Sequence, residues 1–541
     1  MRNLKKILVL LLAVVLACLS LFSVACNKDS EIDTSKVQIY VSNYNGGFGD
    51  EWLQKIKTDF ESEYSDYVFE DKKGVQIIIN NHKANSAELA AVSASKNEVY
   101  FLSGSYYEEA IKGNFLDITD IVTEGGENSL ESKLSPELKA FFKSYNGKYY
   151  GLPRQEAVYG FVYNVDKFDE EQLYFRKNGC PSEDGYTGSY KYTNLAGERS
   201  TGPNGEYGDY DDGLPATYEE LFQLFVHMND KGITPMTWTG WYYLSYLSWL
   251  LQAIAYDYEG AENLTNYYNL QGEITTYVES IIENPNSLFD TLSLSSFNAA
   301  NEKNKVYGTA GRYYALKVIE KIFSNEVYYD EVNAFKGTVS HTDAQYNFLD
   351  DENNIAMLVE GSWWENEAKA SFELLDKDMD ECRFAMMPLP KVSKEYLGAP
   401  TYSTTEISFA FINANANPDK IPLLKEFYKY CYSQERLEEF TVLTNTPISL
   451  NYSISDETMD ELTHFGKSIW DIHCGTNGAK IVYTVSSNQS VLAGMNSYKY
   501  TQTFKSSVNN EKTTYPFDLF RSSSVSAFDY FKGIQKYFNE N

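Results

Sequence analysis

The stretch YNGKYYGLPRQEAVYGFVYN, residues 145–164, decides the fold of this chain. Asn146 and Gly147 predict a turn near its start, because both residue types adopt turn conformations easily. The apolar run that ends at Tyr163 predicts a strand. The stretch therefore predicts a turn that is followed closely by an apolar strand.

Upstream of this stretch, predicted strands and helices alternate. Apolar and polar residues alternate over 37–41, which predicts a half-buried strand, and Asp50 can cap the helix that follows. Further strands are predicted over 75–79 and 99–102. This order is typical of an α/β layer with parallel strands, in which ligands bind outside the carboxyl ends of the strands. Two loops lie at such ends, 43–49 and 103–107.

Downstream, several motifs follow in a fixed order: LPATYEEL at 214–221, KGITPMTW at 231–238, IAMLVEGSWWENE at 355–367, MMPLP at 386–390 and the helical stretch 419–440 before Thr446-Pro447. Together with 145–164 they resemble the carbohydrate-binding extracellular solute-binding proteins of ABC importers. The resemblance covers nearly the whole mature chain. It implies an α/β chain with the two-lobed periplasmic-binding-protein fold (type II, clam-shell), whose lobes are joined by hinge crossovers.

The resemblance also implies the division of the chain and its role. Lobe one is expected at 36–155 plus 402–448, and lobe two at 156–401 plus 449–541, with an insertion at about 176–213. The implied function is to capture a carbohydrate, expected to be an oligosaccharide, and to deliver it to the permease subunits. A monomer without catalytic activity is expected. A surface glycan-degrading enzyme, an adhesin and a binding protein for a non-sugar solute such as a peptide remain alternatives.

Charge and length set further bounds. The chain has 541 residues, with 46 Lys and Arg against 76 Asp and Glu, which gives a formal net charge of −30. Nucleic-acid binding is therefore not expected, because no net cationic surface would release counterions from phosphates.

The first residues read as a secretion signal. A cationic start precedes the apolar run 7–22, and Ser23-Val24-Ala25-Cys26 resembles the lipobox of bacterial lipoproteins. Residues 1–25 are thus a predicted lipoprotein signal peptide, Cys26 is the predicted lipidation site, and 26–35 are a tether. Lipidation at Cys18 and an uncleaved membrane span are the alternatives. In each case the body lies outside the cytoplasm, on the extracellular or periplasmic side of the cell membrane.

Aromatic and polar side chains near the predicted cleft suggest a sugar site. A pyranose has an apolar face and a rim of hydroxyl groups, so flat aromatic rings and a few fixed polar groups suit it. Of the pair Trp363 and Trp364, only one ring is expected to face the cleft. Trp249 and Tyr246, at helical spacing, are predicted to be core. The predicted ligand-binding residues are Asn45, Tyr106, Tyr107, Glu156, Tyr159, Trp238, Trp241, Tyr242, Trp363, Trp364, Glu365 and Tyr402.

Metal and catalytic motifs give no competing signal. The four cysteines of the body are too far apart for a zinc or redox pattern, and buried free thiols are favoured over two disulfides. The mature chain contains no H-E-x-x-H, G-x-S-x-G or G-x-G-x-x-G motif. The acidic run 204–212 in the insertion has oxygen ligands for calcium, but an acidic surface loop is favoured, and no cofactor is expected.

Overall fold

The computed structural model describes residues 32–83, 85–404, 408–492 and 515–540. The predicted signal peptide and Cys26 lie outside these residues, as does most of the predicted tether. The strands are β1 Val37–Tyr44, β2 Val68–Phe69, β3 Lys72–Lys73, β4 Val75–His82, β5 Val99–Ser103, β6 Leu152–Pro153, β7 Tyr159–Asn164, β8 Tyr174–Phe175, β9 Tyr192–Thr193, β10 Thr234–Thr237, β11 Glu273–Ile282, β12 Thr291–Asn298, β13 Ile355–Gly361, β14 Phe384–Met387, β15 Thr401–Ser403, β16 Ser408–Ile412 and β17 Lys480–Val482.

The α-helices connect and cover these strands. They span Glu51–Glu63, Asn85–Ala91, Tyr106–Ile111, Thr119–Thr123, Pro136–Phe142, Val165–Glu170, Tyr218–Asp230, Tyr243–Asn269, Ala310–Phe323, His341–Leu349, Trp364–Glu367, Lys369–Leu374, Ile421–Tyr430, Gln434–Thr444, Asp456–Glu461, His464–Cys474, Gln489–Leu492, Phe517–Arg521 and Ala527–Glu540. Among the described residues, none of them combines the length and the apolar character that a membrane-crossing helix needs.

The first of two central sheets has the strand order β4-β1-β5-β16-β6. β1 runs parallel to β4 and β5, whereas β16 is antiparallel to β5. Helix Glu51–Glu63 buries Trp52, Leu53, Ile56 and Phe60 on one face, because these residues recur at helical spacing. The predicted α/β layer of parallel strands is thus confirmed.

The second sheet has the order β10-β13-β7-β14. β7 comes from the stretch that opened the sequence analysis, and it is buried along most of its length between β13 and β14, antiparallel to both. Helices Tyr218–Asp230, Tyr243–Asn269 and Ala310–Phe323 contribute to the core on one face of this sheet. A smaller core that includes helices His341–Leu349 and His464–Cys474 covers the other face.

Three chain segments cross between the sheets side by side. The backbone N–H of Arg154 donates to the Ser408 carbonyl (2.9 Å), and the N–H of Ser449 donates to the Arg154 carbonyl (3.1 Å). Val158 and Thr404 then form an isolated bridge on the far side of this junction. The three crossovers therefore meet at Arg154.

The side chain of Arg154 is anchored in the core of the first sheet. Its guanidinium carbon lies 3.9 Å from the ring centre of Trp52 and 4.4 Å from that of Phe440. It is fully buried, and none of its guanidinium nitrogens has a hydrogen-bond partner among the described residues. Cation–π contacts thus take the place of hydrogen bonds here.

Some elements lie outside the two sheets. β11 and β12 form a separate antiparallel hairpin, and β8 and β9 pair within the region of the predicted insertion. Val485 and Leu492 pack in the core of the first sheet, although residues 449–541 were assigned to lobe two from the sequence. The last part of the chain therefore contributes side chains to both cores.

Candidate ligand-binding cleft

The carboxyl ends of β1 and β13 come close to each other in the space between the sheets. The loop after β1 contacts the segment after β13, since Asn366 Nδ2 donates to the Gly47 carbonyl (2.8 Å). The Gly47 N–H donates to Glu367 Oε1 (3.3 Å). This is the edge at which α/β sheets bind ligands, and we call the space the cleft.

Four aromatic rings form the wall of the cleft on the side of the second sheet. The ring centre of Trp363 lies 5.9 Å from those of Tyr159 and Trp249, and Trp249 lies 5.4 Å from Tyr246. We call these four residues the aromatic cluster. Trp249 is half-buried and Trp363 is 9% exposed, so these two rings retain accessible surface. Trp363 and Trp249 pack edge to face, with an interplanar angle of 79°, and this packing holds the planes of the two indoles.

Two glycines allow Trp363 to occupy this position. A Cβ on Gly361 would lie 2.6 Å from Trp363 Cε3, and one on Gly47 would lie 2.9 Å from Trp363 Cβ. Gly47 also has a φ of +67°, which is strained for other residues. The side chain of Trp363 therefore packs directly against the backbone of one glycine from each lobe.

A chain of polar groups runs beside the cluster. Gln345 Nε2 donates to Glu360 Oε1 (3.1 Å) and to Glu367 Oε2 (2.9 Å). His341 Nε2 lies 3.3 Å from Glu367 Oε1. Burial raises the pKa of Glu360 to about 8, whereas the hydrogen bond to Glu367 raises the pKa of His341. Burial therefore favours the neutral form of the Glu360 carboxyl.

Two of the predicted site residues form the rim of the cleft. Trp241 and Tyr242 are 59% and 45% exposed, and their rings stack at 5.7 Å with an interplanar angle of 13°. The Tyr242 ring centre lies 5.8 Å from that of His341. The rim thus contacts the row of polar side chains through the rings of Tyr242 and His341.

Other predicted residues lie in or beside the cleft in different settings. Asn45 is half-buried on the loop after β1. Tyr159 is buried within the aromatic cluster, and its hydroxyl donates to the Val359 carbonyl (3.4 Å). Tyr107 is largely buried, with its ring at right angles to that of Tyr145. Of these, only Asn45 is more than about a tenth exposed.

Glu156 is buried at the crossovers. His473 Nδ1 lies 3.0 Å from its Oε1, and the Tyr483 hydroxyl donates to its Oε2 (2.8 Å). Both carboxylate oxygens are therefore occupied by protein groups. This arrangement joins the first crossover to the last part of the chain.

Five predicted residues lie in the cores, where the cleft prediction did not place them. The fully buried Trp238 contacts the rings of Tyr329 and Phe335. The Tyr106 hydroxyl donates to the Phe142 carbonyl (3.0 Å) within the core of the first sheet. The other three pack on the far face of the second sheet: Trp364, Glu365 and Tyr402. All five side chains are at most 4% exposed, so they offer almost no surface to a ligand in the cleft.

Sequence reasoning missed part of this wall. Trp249 was predicted to be core, yet it is half-buried beside Trp363. The sequence did contain a hint of this exposure. Trp249 follows the exposed Ser245 by four residues, and this spacing places both side chains on one face of the helix. Glu367 ends the motif at 355–367, but no site role was predicted for it or for Gln345, because their role depends on a contact between distant segments.

The predicted insertion and the four cysteines of the body lie away from the cleft contacts described above. Burial raises the pKa of Asp211 to about 8, and Asn204 N–H donates to its Oδ2 (3.0 Å). Within the described ranges, no group of three His, Cys, Asp or Glu residues is placed to hold a metal ion. All four cysteines are free thiols, but only Cys180 and Cys431 are buried; Cys382 is half-buried and Cys474 is exposed, which differs from the burial expected for all four.

Comparisons with known proteins agree with this architecture. A family model described as bacterial extracellular solute-binding protein matches residues 68–457. A chitin oligosaccharide binding protein resembles the chain with a TM-score of 0.54 at 16% identity, over 94% of this chain and 99% of that protein. RafE in complex with raffinose gives 0.54 at 15% identity, over 93% and 99%.

Maltose-bound MalE3 of T. maritima also gives a TM-score of 0.54, at 12% identity, and covers 93% of this chain and 99% of that protein. At such identities the likeness shows a common fold. No curated protein sequence matches the chain.

Proposed function

Because the chain belongs to the bacterial extracellular solute-binding protein family and has its two-lobed α/β fold, we propose that it captures an oligosaccharide for an ABC importer. It works by binding rather than by catalysis. The observation that carries the sugar assignment is the aromatic cluster between the lobes, because accessible indole faces suit the apolar face of a pyranose. The names of similar structures, which mention chitin oligosaccharide, raffinose and maltose, support a carbohydrate ligand.

The ligand is held between polar and aromatic groups of both lobes. Trp363 and Trp249 offer ring faces, while Glu367 and Asn45 offer hydrogen bonds to hydroxyl groups. Burial favours the neutral form of the Glu360 carboxyl, which limits the negative charge of the wall. A neutral glycan therefore fits this wall better than a charged one.

Delivery of the ligand to the permease depends on the hinge at the crossovers and on the lipid anchor at Cys26. The lobes divide close to residues 155 and 402, and they close around the ligand by bending at the crossovers. The closed form is recognised by the permease subunits, and the protein acts as a monomer. Cys26 carries the lipid that holds the body at the outer side of the membrane.

A thermal-shift and calorimetry screen of residues 27–541 tests this function. Neutral oligosaccharides of several linkages are compared with peptides, and ligand at about 100 times its dissociation constant should add about 2.7 kcal/mol to stability. The Trp363→Ala variant should lose this shift. A shift with peptides and with no glycan would overturn the carbohydrate assignment.

A further inference from the structure

We propose that Trp241 and Tyr242, the rim pair, form an outer sugar subsite that selects longer glycans over short ones. The inference rests on the proposed function, because it takes the ligand of the cleft to be an oligosaccharide. It adds that two parts of the site bind different sugar rings of the same ligand. The aromatic cluster holds the first rings, and the rim pair holds a later ring of the same chain.

The exposure of the rim pair is the first observation. Trp241 and Tyr242 both keep about half of their surface in water although they are large aromatic residues. Their rings are nearly parallel and stack on each other, so the two residues form one exposed aromatic unit. A flat aromatic surface in water is the form of platform on which a sugar ring stacks.

The backbone under the pair is fixed before any ligand arrives. Trp241 N–H donates to the Val339 carbonyl (2.9 Å), and Tyr242 N–H donates to Thr239 Oγ1 (3.3 Å). A Cβ on Gly240 would lie 2.6 Å from the backbone nitrogen of Lys336, so only glycine fits there. A prearranged platform avoids the entropic cost of ordering on binding.

The position of the pair connects it to the inner wall. The Tyr242 ring contacts that of His341, and His341 lies against Glu367, which accepts the Gly47 N–H from the other lobe. A glycan that starts on the aromatic cluster and leaves the cleft along this edge reaches the rim pair. His341 and Glu367 line that path with groups that can hydrogen-bond hydroxyls.

The rim pair has a distinct chemical role from the inner cluster. Trp363 lies between backbone segments of both lobes, so its loss affects every ligand that enters the cleft. The ring contacts and backbone hydrogen bonds of the rim pair described above are all with residues of the second lobe. A short ligand held on the inner cluster therefore leaves the rim pair untouched.

The test is a length series of one neutral oligosaccharide, from disaccharide to hexasaccharide, measured by calorimetry on residues 27–541, which retain every described element. For the unaltered protein, affinity should rise with length and then level off. Trp241→Ala should weaken the longest ligands by roughly tenfold and leave the disaccharide unchanged. Trp241→Tyr should restore most of the loss, because it keeps a ring at the same place.

Tyr396→Ala serves as the matched control, since Tyr396 is also an exposed aromatic residue, 48% exposed, outside the cleft. It should bind every ligand as the unaltered protein does. Equal weakening by Trp241→Ala at all lengths, or no weakening at any length, would overturn the outer subsite while leaving the proposed function intact. Absence of binding by any glycan to the unaltered protein would overturn both.

Discussion

At the scale of single residues, Gly47 is one of the points where the lobes touch. Its left-handed backbone and its distance from Trp363 leave no room for a side chain. We expect Gly47→Ala to lower ligand affinity at least about tenfold, because the added methyl group pushes against the indole as the lobes close. Calorimetry with the best ligand measures this loss.

Gly113 offers a control for the backbone part of that effect. It has a φ of +77°, and a Cβ there would meet no atom within 4 Å. Gly113→Ala should therefore cost about 1 kcal/mol of stability without changing affinity. Equal affinities for the two variants would contradict the role given to Gly47.

Glu365 gives a pH prediction at the same scale. Burial raises the pKa of this carboxyl from 4.5 to about 8, and Thr463 Oγ1 donates to its Oε2 (2.6 Å). The folded state thus binds the proton more tightly than the unfolded state does. Stability from this group is complete below about pH 4.5 and is lost as the pH rises toward 8.

Glu365→Gln should remove this dependence, because the amide stays neutral at every pH. Both proteins should have similar free energies of unfolding near pH 4.5, and the variant should be more stable by on the order of 3 kcal/mol above pH 8. Urea denaturation across this range measures the difference. Glu373→Gln, at an exposed position of the same region, is the control and should show no such gain in the free energy of unfolding at high pH. If the free energy of unfolding changed with pH in the same way for the wild type and for Glu365→Gln, the explanation by a buried proton would be wrong.

At the scale of elements, helix Tyr218–Asp230 illustrates a start signal that the sequence contains. Thr217 Oγ1 accepts from the Glu220 N–H, and Glu220 Oε2 accepts from the Thr217 N–H, both at 3.3 Å. Thr217→Ala should lower the free energy of unfolding by about 1 kcal/mol, because one helical N–H loses its acceptor. Thr217→Ser should retain most of that stability; a loss as large as that of the alanine variant would point to the methyl group instead.

How far the sequence predicts each element depends on how local its cause is. β1, β4 and β5 were predicted because the alternation and length of their apolar runs are local properties. Trp238 was misplaced because it follows β10, a strand with three of its four residues buried, so the pattern does not show which way the next side chain points. Trp363 and Trp364 differ through the start of helix Trp364–Glu367, which no nearby residue signals.

At the scale of the whole molecule, the two-sheet arrangement predicts a change in shape on binding. Saturating ligand should lower the radius of gyration by about 1 Å from roughly 24 Å, because the lobes approach one another. Small-angle scattering measures this change, and Gly47→Ala should show a smaller one. An identical scattering curve with and without ligand would rule out closure.

The buried guanidinium of Arg154 determines where that motion takes place. Because it is locked among aromatic rings of lobe one, the junction of the three crossovers moves as part of that lobe. For the closure proposed above, we expect the bend on the other side, between Arg154 and the bridge of Val158 with Thr404. In that arrangement the hinge consists of only a few residues, and lobe one is the fixed body. We therefore expect small changes in the backbone torsions of these residues to rotate lobe two as a unit.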